Sequence, residues 1–205
     1  MEKNKEQKVN ETLVLVNLCS QYCKIIDKAE KEELNDFLET VASKMMEIYK
    51  QTFEITRFQT RYESEPEKFL SEKQYNKIIK KLKEFFGKRD LYNEIIDPAR
   101  PTSQSVFQAS LAEDLTDIYQ DFYDFSEWYS LGTLESINDS IIECLNTFEK
   151  YWGIKLLNAL RAIHMIRYFL KDQSISRVNK NDDEAIDIDD NEIIDSEGLD
   201  EFLTE

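Results

Sequence analysis

Four aspartates at helical spacing are the residues of this chain best suited to chemistry. Asp114, Asp117, Asp121 and Asp124 follow one another at steps of three, four and three residues, so an α-helix aligns them along one face. Carboxylates in such a line repel one another and therefore favour bound cations. We consider two interpretations. One is a solvated face that pairs with Lys or Arg, with Lys155 as the candidate partner, and the other is a divalent metal site, because hard cations prefer carboxylate oxygens.

A short acidic block favours the metal site. Residues 113–118, EDLTDI, resemble the second acidic motif of all-α nucleoside triphosphate pyrophosphatases of the MazG type, and Glu30-x-x-Glu33 corresponds to their first motif. The resemblance implies an enzyme that hydrolyses nucleotides with Mg²⁺ as its cofactor. This alternative requires four carboxylates to meet around one open cleft. The implied metal ligands are Glu30, Glu33, Asp114 and Asp117.

Basic residues concentrate on one helix of this otherwise acidic chain. Lysines recur between residues 73 and 89 against few acids. Such a surface is either a solvated helix face or a binding surface for an acidic protein or nucleic acid. No recognised nucleic-acid motif accompanies it. The candidate partner-binding residues are Lys77, Lys80, Lys81, Lys88 and Arg89.

Cysteine and histidine side chains offer few sites for catalysis or for transition metals. Cys19 and Cys23 lie four residues apart on an apolar helical face, which predicts that both are buried. With Cys144 they make three cysteines, an odd number that does not suit a disulfide scaffold and indicates a reducing cytoplasm. A zinc site would need two further ligands. His164 is the single histidine, and we expect it at the surface or at the boundary of the core.

The net charge separates the chain into a body and a tail. The formal charge is −16, yet residues 181–205 hold twelve acids and no base, which leaves −4 for the rest. We therefore predict one domain over residues 1–175 and an acidic tail over residues 176–205. The tail is either a solubilising segment or an acidic–hydrophobic segment that binds a partner. No signal-peptide core or membrane-length apolar run is present, so we expect a cytoplasmic protein without membrane contact.

Apolar periodicity and capping signals predict an all-α protein. Four Gly and three Pro are too few for the turns of a β-sandwich or for a Gly-rich phosphate-binding turn. No segment is predicted as a strand pair, residues 91–96 are assigned a short turn or helix, and a bend or break is expected near Gly153. The predicted helices are 9–26, 30–53 (with Asp27 and Glu30 as a capping box), 71–86 (begun by Ser71 and Gln74 and ended at Gly87), 103–130 and 134–170.

The fourth predicted helix carries the longest apolar seam. Seven residues alternate steps of four and three, as in a helix packed along another helix. The turn Leu131-Gly132-Thr133 ends this helix and caps the next, so the two form an antiparallel hairpin. The predicted fold is a single helical bundle of five or six helices followed by the acidic tail. The seam residues are Phe107, Leu111, Leu115, Ile118, Phe122, Phe125 and Tyr129.

Two sequence blocks carry a family resemblance. Residues 110–121, SLAEDLTDIYQD, and residues 151–164, YWGIKLLNALRAIH, resemble the domain-of-unknown-function family 5063, whose members are bacterial proteins of about this length. The resemblance spans residues 9–170 and implies a bacterial, cytoplasmic, all-α protein. It implies no activity, cofactor or site residue.

On these observations we expect a non-catalytic protein-interaction or adaptor module without a cofactor. Its expected partner is an unidentified protein, bound through the basic helix, the tail or the acidic face, with nucleic acid as a weaker alternative. The Mg²⁺-dependent pyrophosphatase is the alternative function. The sequence leaves the oligomeric state open.

Overall fold

Helices and one short β-ribbon build the part of the chain that the structure describes. The structure is a computed structural model, and it describes residues 2–55, 68–94 and 107–169. The all-α prediction is confirmed. The elements are α1 (Glu2–Lys28), a 3₁₀ turn (Ala29–Lys31), α2 (Leu34–Glu54), α3 (Glu72–Phe86), a 3₁₀ turn (Gly87–Arg89), β1 (Leu91–Glu94), β2 (Phe107–Ser110), α4 (Leu111–Ser130), α5 (Leu134–Thr147), a π-helical turn (Phe148–Trp152), α6 (Gly153–His164) and a π-helical turn (Met165–Phe169).

Helix α4 lies at the centre of the bundle. It packs against α1, α3, α5 and α6, while α2 packs against α1 and α6. The predicted seam is buried at Leu111, Leu115, Ile118, Phe122 and Phe125. The ring of Phe122 makes edge-on contacts with the rings of Tyr22 and Trp152, at 5.2 and 4.9 Å between centroids. Aromatic pairs favour this arrangement. Every residue of α4 is therefore held at a fixed position relative to four neighbouring helices.

Several predicted helix boundaries are confirmed. Ser71 and Gln74 form both hydrogen bonds of a capping box at the start of α3. At the end of α3, Gly87 adopts a φ of 54°, and Gly132, between α4 and α5, adopts a φ of 75°, values that favour glycine. Thr133 then caps α5. These local signals set the lengths of the helices that flank the site.

The start of α2 differs from the prediction. Asp27 and Glu30 do not form a capping box. Ala29–Lys31 makes a 3₁₀ turn instead, and α2 begins at Leu34 with no side-chain cap from Glu33. Ala29 is completely buried, so the chain turns tightly there to bring α2 against α1.

The prediction that the chain has no strand pair is wrong. Strands β1 and β2 pair antiparallel, with Leu91 opposite Ser110 and Glu94 opposite Phe107, and α4 begins at Leu111 rather than near residue 103. The physical reason is the cap of α4. The buried Asp90 carboxylate accepts hydrogen bonds from the Ala112 amide at 2.7 Å and from the Ser110 hydroxyl at 2.8 Å. Helix-end amides need such partners, and satisfying them fixes the register of the ribbon.

The expected bend or break near Gly153 takes the form of a π-helical turn that ends at Trp152. The chain stays helical on both sides of it. The indole of Trp152 is fully buried and donates to the Cys144 carbonyl oxygen at 3.1 Å. A Cβ atom at Gly153 would lie 2.5 Å from the carbonyl oxygen of Phe148 and 2.9 Å from its ring. Glycine is therefore needed here because the backbone of the preceding turn approaches so closely.

Some sequence predictions fall outside this part of the chain. The domain boundary at residue 175 and the acidic tail 176–205 lie outside the described residues. Among the described helices, none has the length and apolarity that crossing a bilayer would need.

We expect Gly153→Ala to destabilise the protein by about 1–3 kcal/mol, because the added methyl group overlaps the Phe148 backbone. In an ordinary exposed helix the same substitution is stabilising by about 1 kcal/mol, so the sign of the change identifies the close approach. Urea denaturation measures it, with Ser43→Ala on the exposed face of α2 as the control. A Gly153→Ala variant as stable as the parent would contradict the close approach.

Candidate functional site

The candidate site is the row of four aspartates on α4, Asp114, Asp117, Asp121 and Asp124, which we call the acidic ridge. Each lies beside a buried seam residue of α4, as the helical spacing predicts. Helices α3 and α6 and strand β1 supply the side chains that meet the ridge. The four carboxylates therefore share one helix but have different partners.

Asp114 is the most deeply buried member of the ridge. Its side chain is 6% exposed, and Lys155 of α6 lies 3.2 Å from its Oδ1 atom. The hydroxyl of Tyr92, on β1, donates to its Oδ2 atom. Both carboxylate oxygens thus have partners, as a buried carboxylate requires. The predicted pairing of the ridge with Lys155 is confirmed.

Asp117, one turn further along α4, binds the same lysine. The Lys155 ammonium lies 2.8 Å from its Oδ2 atom. Tyr75 of α3 donates to Oδ1 at 2.6 Å, and Tyr151, in the π-helical turn, donates to Oδ2 at 3.1 Å. Lys155 also lies 5.2 Å from the centre of the Tyr151 ring, within the range of a cation–π interaction. Three elements therefore meet at one carboxylate.

These contacts shift the protonation equilibria of the cluster. Burial alone would lower the pKa of Lys155, but hydrogen bonding and attraction from Asp117 and Asp114 outweigh it, so the pKa of Lys155 is raised. Burial raises the pKa of Asp114, although Tyr92 and Lys155 oppose the rise. Burial and the hydrogen bond to Asp117 raise the pKa of Tyr75. The lysine therefore stays charged and the tyrosine stays a hydrogen-bond donor at neutral pH.

The other two aspartates of the ridge are not bridged by an ion pair to a described residue within hydrogen-bonding distance, although the charge of Lys68 attracts both. Asp124 accepts hydrogen bonds from the backbone amides of Phe69 and Leu70 at 2.8 and 2.9 Å, so it anchors the chain that enters α3. Asp121 has a buried Oδ2 atom that makes no hydrogen bond to any described residue. Burial and the neighbouring charges of Asp117 and Asp124 raise the pKa of Asp121 to about 7.

The structure does not gather the four proposed metal ligands. Glu30 and Glu33 are exposed in the turn between α1 and α2. Asp114 and Asp117, on α4, instead bind Lys155 of α6. Within the ranges that the structure describes, no three His, Cys, Asp or Glu side chains form a group that could hold a metal ion. The hypothesis of a shared Mg²⁺ site therefore finds no support in this geometry.

The candidate partner-binding residues separate into two kinds. Lys81 is half-buried, and its ammonium donates to the carbonyl oxygens of Ile26 and Asp27 at 3.0 and 3.1 Å, at the C-terminal end of α1. Cations are favourable at helix C-termini, so Lys81 joins α3 to α1. The four others, which we call the basic surface, are exposed: Lys77, Lys80, Lys88 and Arg89.

Two polar residues of α6 contact two different residues of β1. The Asn158 amide donates to the Glu94 carboxylate at 2.8 Å, and the Arg161 guanidinium donates to the carbonyl oxygen of Asn93. His164 is exposed, in agreement with the expected surface position. These contacts fix β1 against α6 and do not form a catalytic cluster.

Sequence reasoning missed the three tyrosines that complete the ridge. The sequence patterns assign none of Tyr75, Tyr92 and Tyr151 to a site. Their hydroxyls lie 42, 22 and 34 residues from their aspartates along the chain, and no local pattern reports such pairings. The cap of α4 did have a signal, because Ser110 and Glu113 have the spacing of a capping box.

We expect Lys155→Met to cost about 2–4 kcal/mol of stability at pH 8, because it leaves two partly buried carboxylates without their cation. The loss should shrink toward pH 4–5, because burial raises the pKa of Asp114 and its protonation removes one of the unpaired charges. Urea denaturation at both pH values measures it. Lys50→Met, which removes an exposed lysine paired to Glu54 at 3.7 Å, is the control and should change stability by less than about 0.5 kcal/mol. Equal effects of the two substitutions would contradict the buried pairing.

We expect Asp121→Asn to stabilise the protein at pH 8. The raised pKa of Asp121 means that the folded state binds this proton more tightly than the unfolded state, so the aspartate lowers stability as pH rises through the interval from about 4 to 7. The gain should be about 1–3 kcal/mol at pH 8 and vanish near pH 4. Thermal unfolding across that range measures it.

Asp124→Asn is the matched control for this prediction. It weakens two hydrogen bonds to backbone amides, and burial raises the pKa of Asp124 as well, so any gain in stability at pH 8 should be smaller than that of Asp121→Asn. A stability difference between Asp121→Asn and the parent that does not change with pH would show that Asp121 is not the titrating group.

Comparisons with known proteins agree with this fold and bring no activity. The family described as a domain of unknown function, DUF5063, matches residues 6–169. The crystal structure of protein BF1032 from Bacteroides fragilis is similar, with a TM-score of 0.66 and 28% sequence identity over 75% of this chain and 90% of that chain. No curated protein matches. The match over most of the chain shows that it belongs to the DUF5063 family.

Proposed function

We propose that this protein is a non-catalytic interaction module that binds an acidic protein partner through the basic surface. The observation that carries the proposal is that these side chains are exposed and uncommitted. Within the described ranges, Lys77, Lys88 and Arg89 make no ion pair, and Lys80 has only an exposed pairing with Glu84 at 3.9 Å. Exposed pairs of this kind contribute little energy, so a partner can replace them at small cost.

The acidic ridge supports a non-catalytic role by contrast. Asp114, Asp117 and Lys155 are bonded to one another and to tyrosine hydroxyls. A general base or a metal ligand must reach its substrate or ion with a free oxygen. Here both oxygens of each carboxylate are already engaged. Asp114 and Asp117 thus serve packing, and the exposed basic residues are available to a second molecule.

The geometry of α3 also favours an acidic protein over nucleic acid. Lys88 and Arg89 lie in the 3₁₀ turn after Gly87, next to the C-terminal end of α3. A protein partner can place a few acidic side chains against this patch without bringing negative charge close to the rest of the chain. A nucleic acid carries one charge per roughly 1.7 Å, so the net negative charge of the chain, most of which lies in residues 181–205, repels it more strongly than it repels a protein partner with a few local acids.

Charge reversal tests the proposal. Tagged full-length chain is used to capture proteins from extracts of the cells that produce it, and the captured proteins are quantified by mass spectrometry at low and high salt. We expect Lys77→Glu/Lys80→Glu to reduce the yield of an acidic partner by roughly tenfold. High salt should also reduce the yield obtained with the wild-type chain.

Lys24→Glu/Lys50→Glu is the matched control, because it makes the same change of charge at exposed positions on α1 and α2. It should leave the yield unchanged. Equal losses in the two variants would assign the binding to overall charge and refute the basic surface. If capture disappeared after nuclease treatment of the extract, the partner would be a nucleic acid and not an acidic protein.

A further inference from the structure

Helix α6 and the π-helical turns on either side of it carry an exposed apolar face. Two of its six large side chains lie on α6, where about 100° per residue places them on one face, and the other four lie in the flanking π-helical turns. Each is between 43% and 58% exposed. We call this face the α6 stripe, and its members are Tyr151, Ile154, Leu157, Met165, Tyr168 and Phe169.

The α6 stripe is large for a surface with no partner. Six large side chains that are each about half exposed present roughly 600 Å² in total. That is at the upper end of the largest apolar patch on a typical monomer, and such patches are often functional. Isolated exposed apolar residues such as Leu13 and Val14 on α1 have no such continuity.

The charges around the α6 stripe indicate which kind of partner it favours. Residues 150–169 contain no acid, although the chain holds 42 acids in 205 residues. Lys150 and Arg161 are exposed, and the Arg161 guanidinium, which donates to the Asn93 carbonyl oxygen, makes no ion pair with a described residue. A partner that covers this face buries apolar groups beside basic ones. Acidic side chains on the partner would satisfy the charges that this burial desolvates.

We propose that the α6 stripe binds an acidic amphipathic helix of another protein, with apolar residues at every third or fourth position and acids beside them. This inference rests on the proposed interaction role and names a second surface for it. A second copy of the chain fits less well, because two stripes face to face bring Lys150 and Arg161 of both copies together. An anionic membrane fits less well, because the chain is acidic overall, with a net charge of −16 that lies mostly in residues 181–205, and an anionic surface repels such a chain.

The stripe is also rigidly held, which favours binding. On the inner side of α6, Lys155 binds Asp114 and Asp117, and Asn158 binds Glu94. Little ordering is then required when a ligand binds, and pre-organised surfaces lose less entropy on association. The mode is that of a helix laid against an apolar face.

A labelled synthetic peptide tests the proposal with the full-length chain. The probe is a helix-forming peptide of about 20 residues with Leu and Phe at every third or fourth position and Glu at the others. We expect fluorescence polarisation to give a Kd of roughly 1–100 μM. A peptide with Lys in place of Glu should bind at least about tenfold more weakly. Ile154→Ser/Leu157→Ser should weaken binding of the acidic peptide by at least about tenfold.

Leu13→Ser/Val14→Ser, an exposed apolar pair on α1, is the matched control and should leave the affinity unchanged. Equal affinity for the acidic and basic peptides, or equal losses in the two variants, would overturn the proposal. So would a dimer in light scattering, or binding to phosphatidylglycerol vesicles, that Ile154→Ser/Leu157→Ser abolishes. Lys77→Glu/Lys80→Glu leaves the stripe intact, so the proposal for each surface is tested independently of the other.

Discussion

The arrangement of the domain depends on one lysine placed between two carboxylates of its central helix. Lys155 removes the repulsion that Asp114 and Asp117 would otherwise exert on each other across one helical turn. Charges taken out of water need both opposite charge and hydrogen bonds, and tyrosines from α3, β1 and the turn before α6 supply the latter. Because these elements all meet at the same two carboxylates, the cluster fixes them against α4.

The four aspartates of the acidic ridge show how environment decides the role of a residue. All four have the same side chain and a regular spacing on one helix. Asp114 and Asp117 meet a lysine, Asp124 meets two backbone amides, and Asp121 keeps a buried oxygen without a bond to a described residue. Their differences arise from what packs against α4 at each turn. A carboxylate that is already bonded at both oxygens stabilises the fold and has little capacity left to bind a metal or a substrate.

This dependence on neighbours explains which features the sequence predicts. The α4 seam, the capping box at Ser71 and the positive-φ glycines Gly87 and Gly132 are local patterns, and the structure confirms them. The β-ribbon is not local, because the cap formed by Asp90 acts on residues about twenty positions later. The spacing of Glu30 and Glu33 is the same whether or not other carboxylates lie nearby. Spacing therefore supported a metal site that the packing of α1, α2 and α4 does not assemble.

The same cluster has a consequence for binding. Tyr75 on α3 and Tyr151 at the start of the α6 stripe both donate to Asp117, so the helix that bears the basic surface and the helix that bears the stripe are joined through one carboxylate. A partner that met both surfaces would meet them at a fixed separation. For such a partner the ridge would lower the entropy cost of association without any contact between the ridge and the partner, because it holds both surfaces in place before binding.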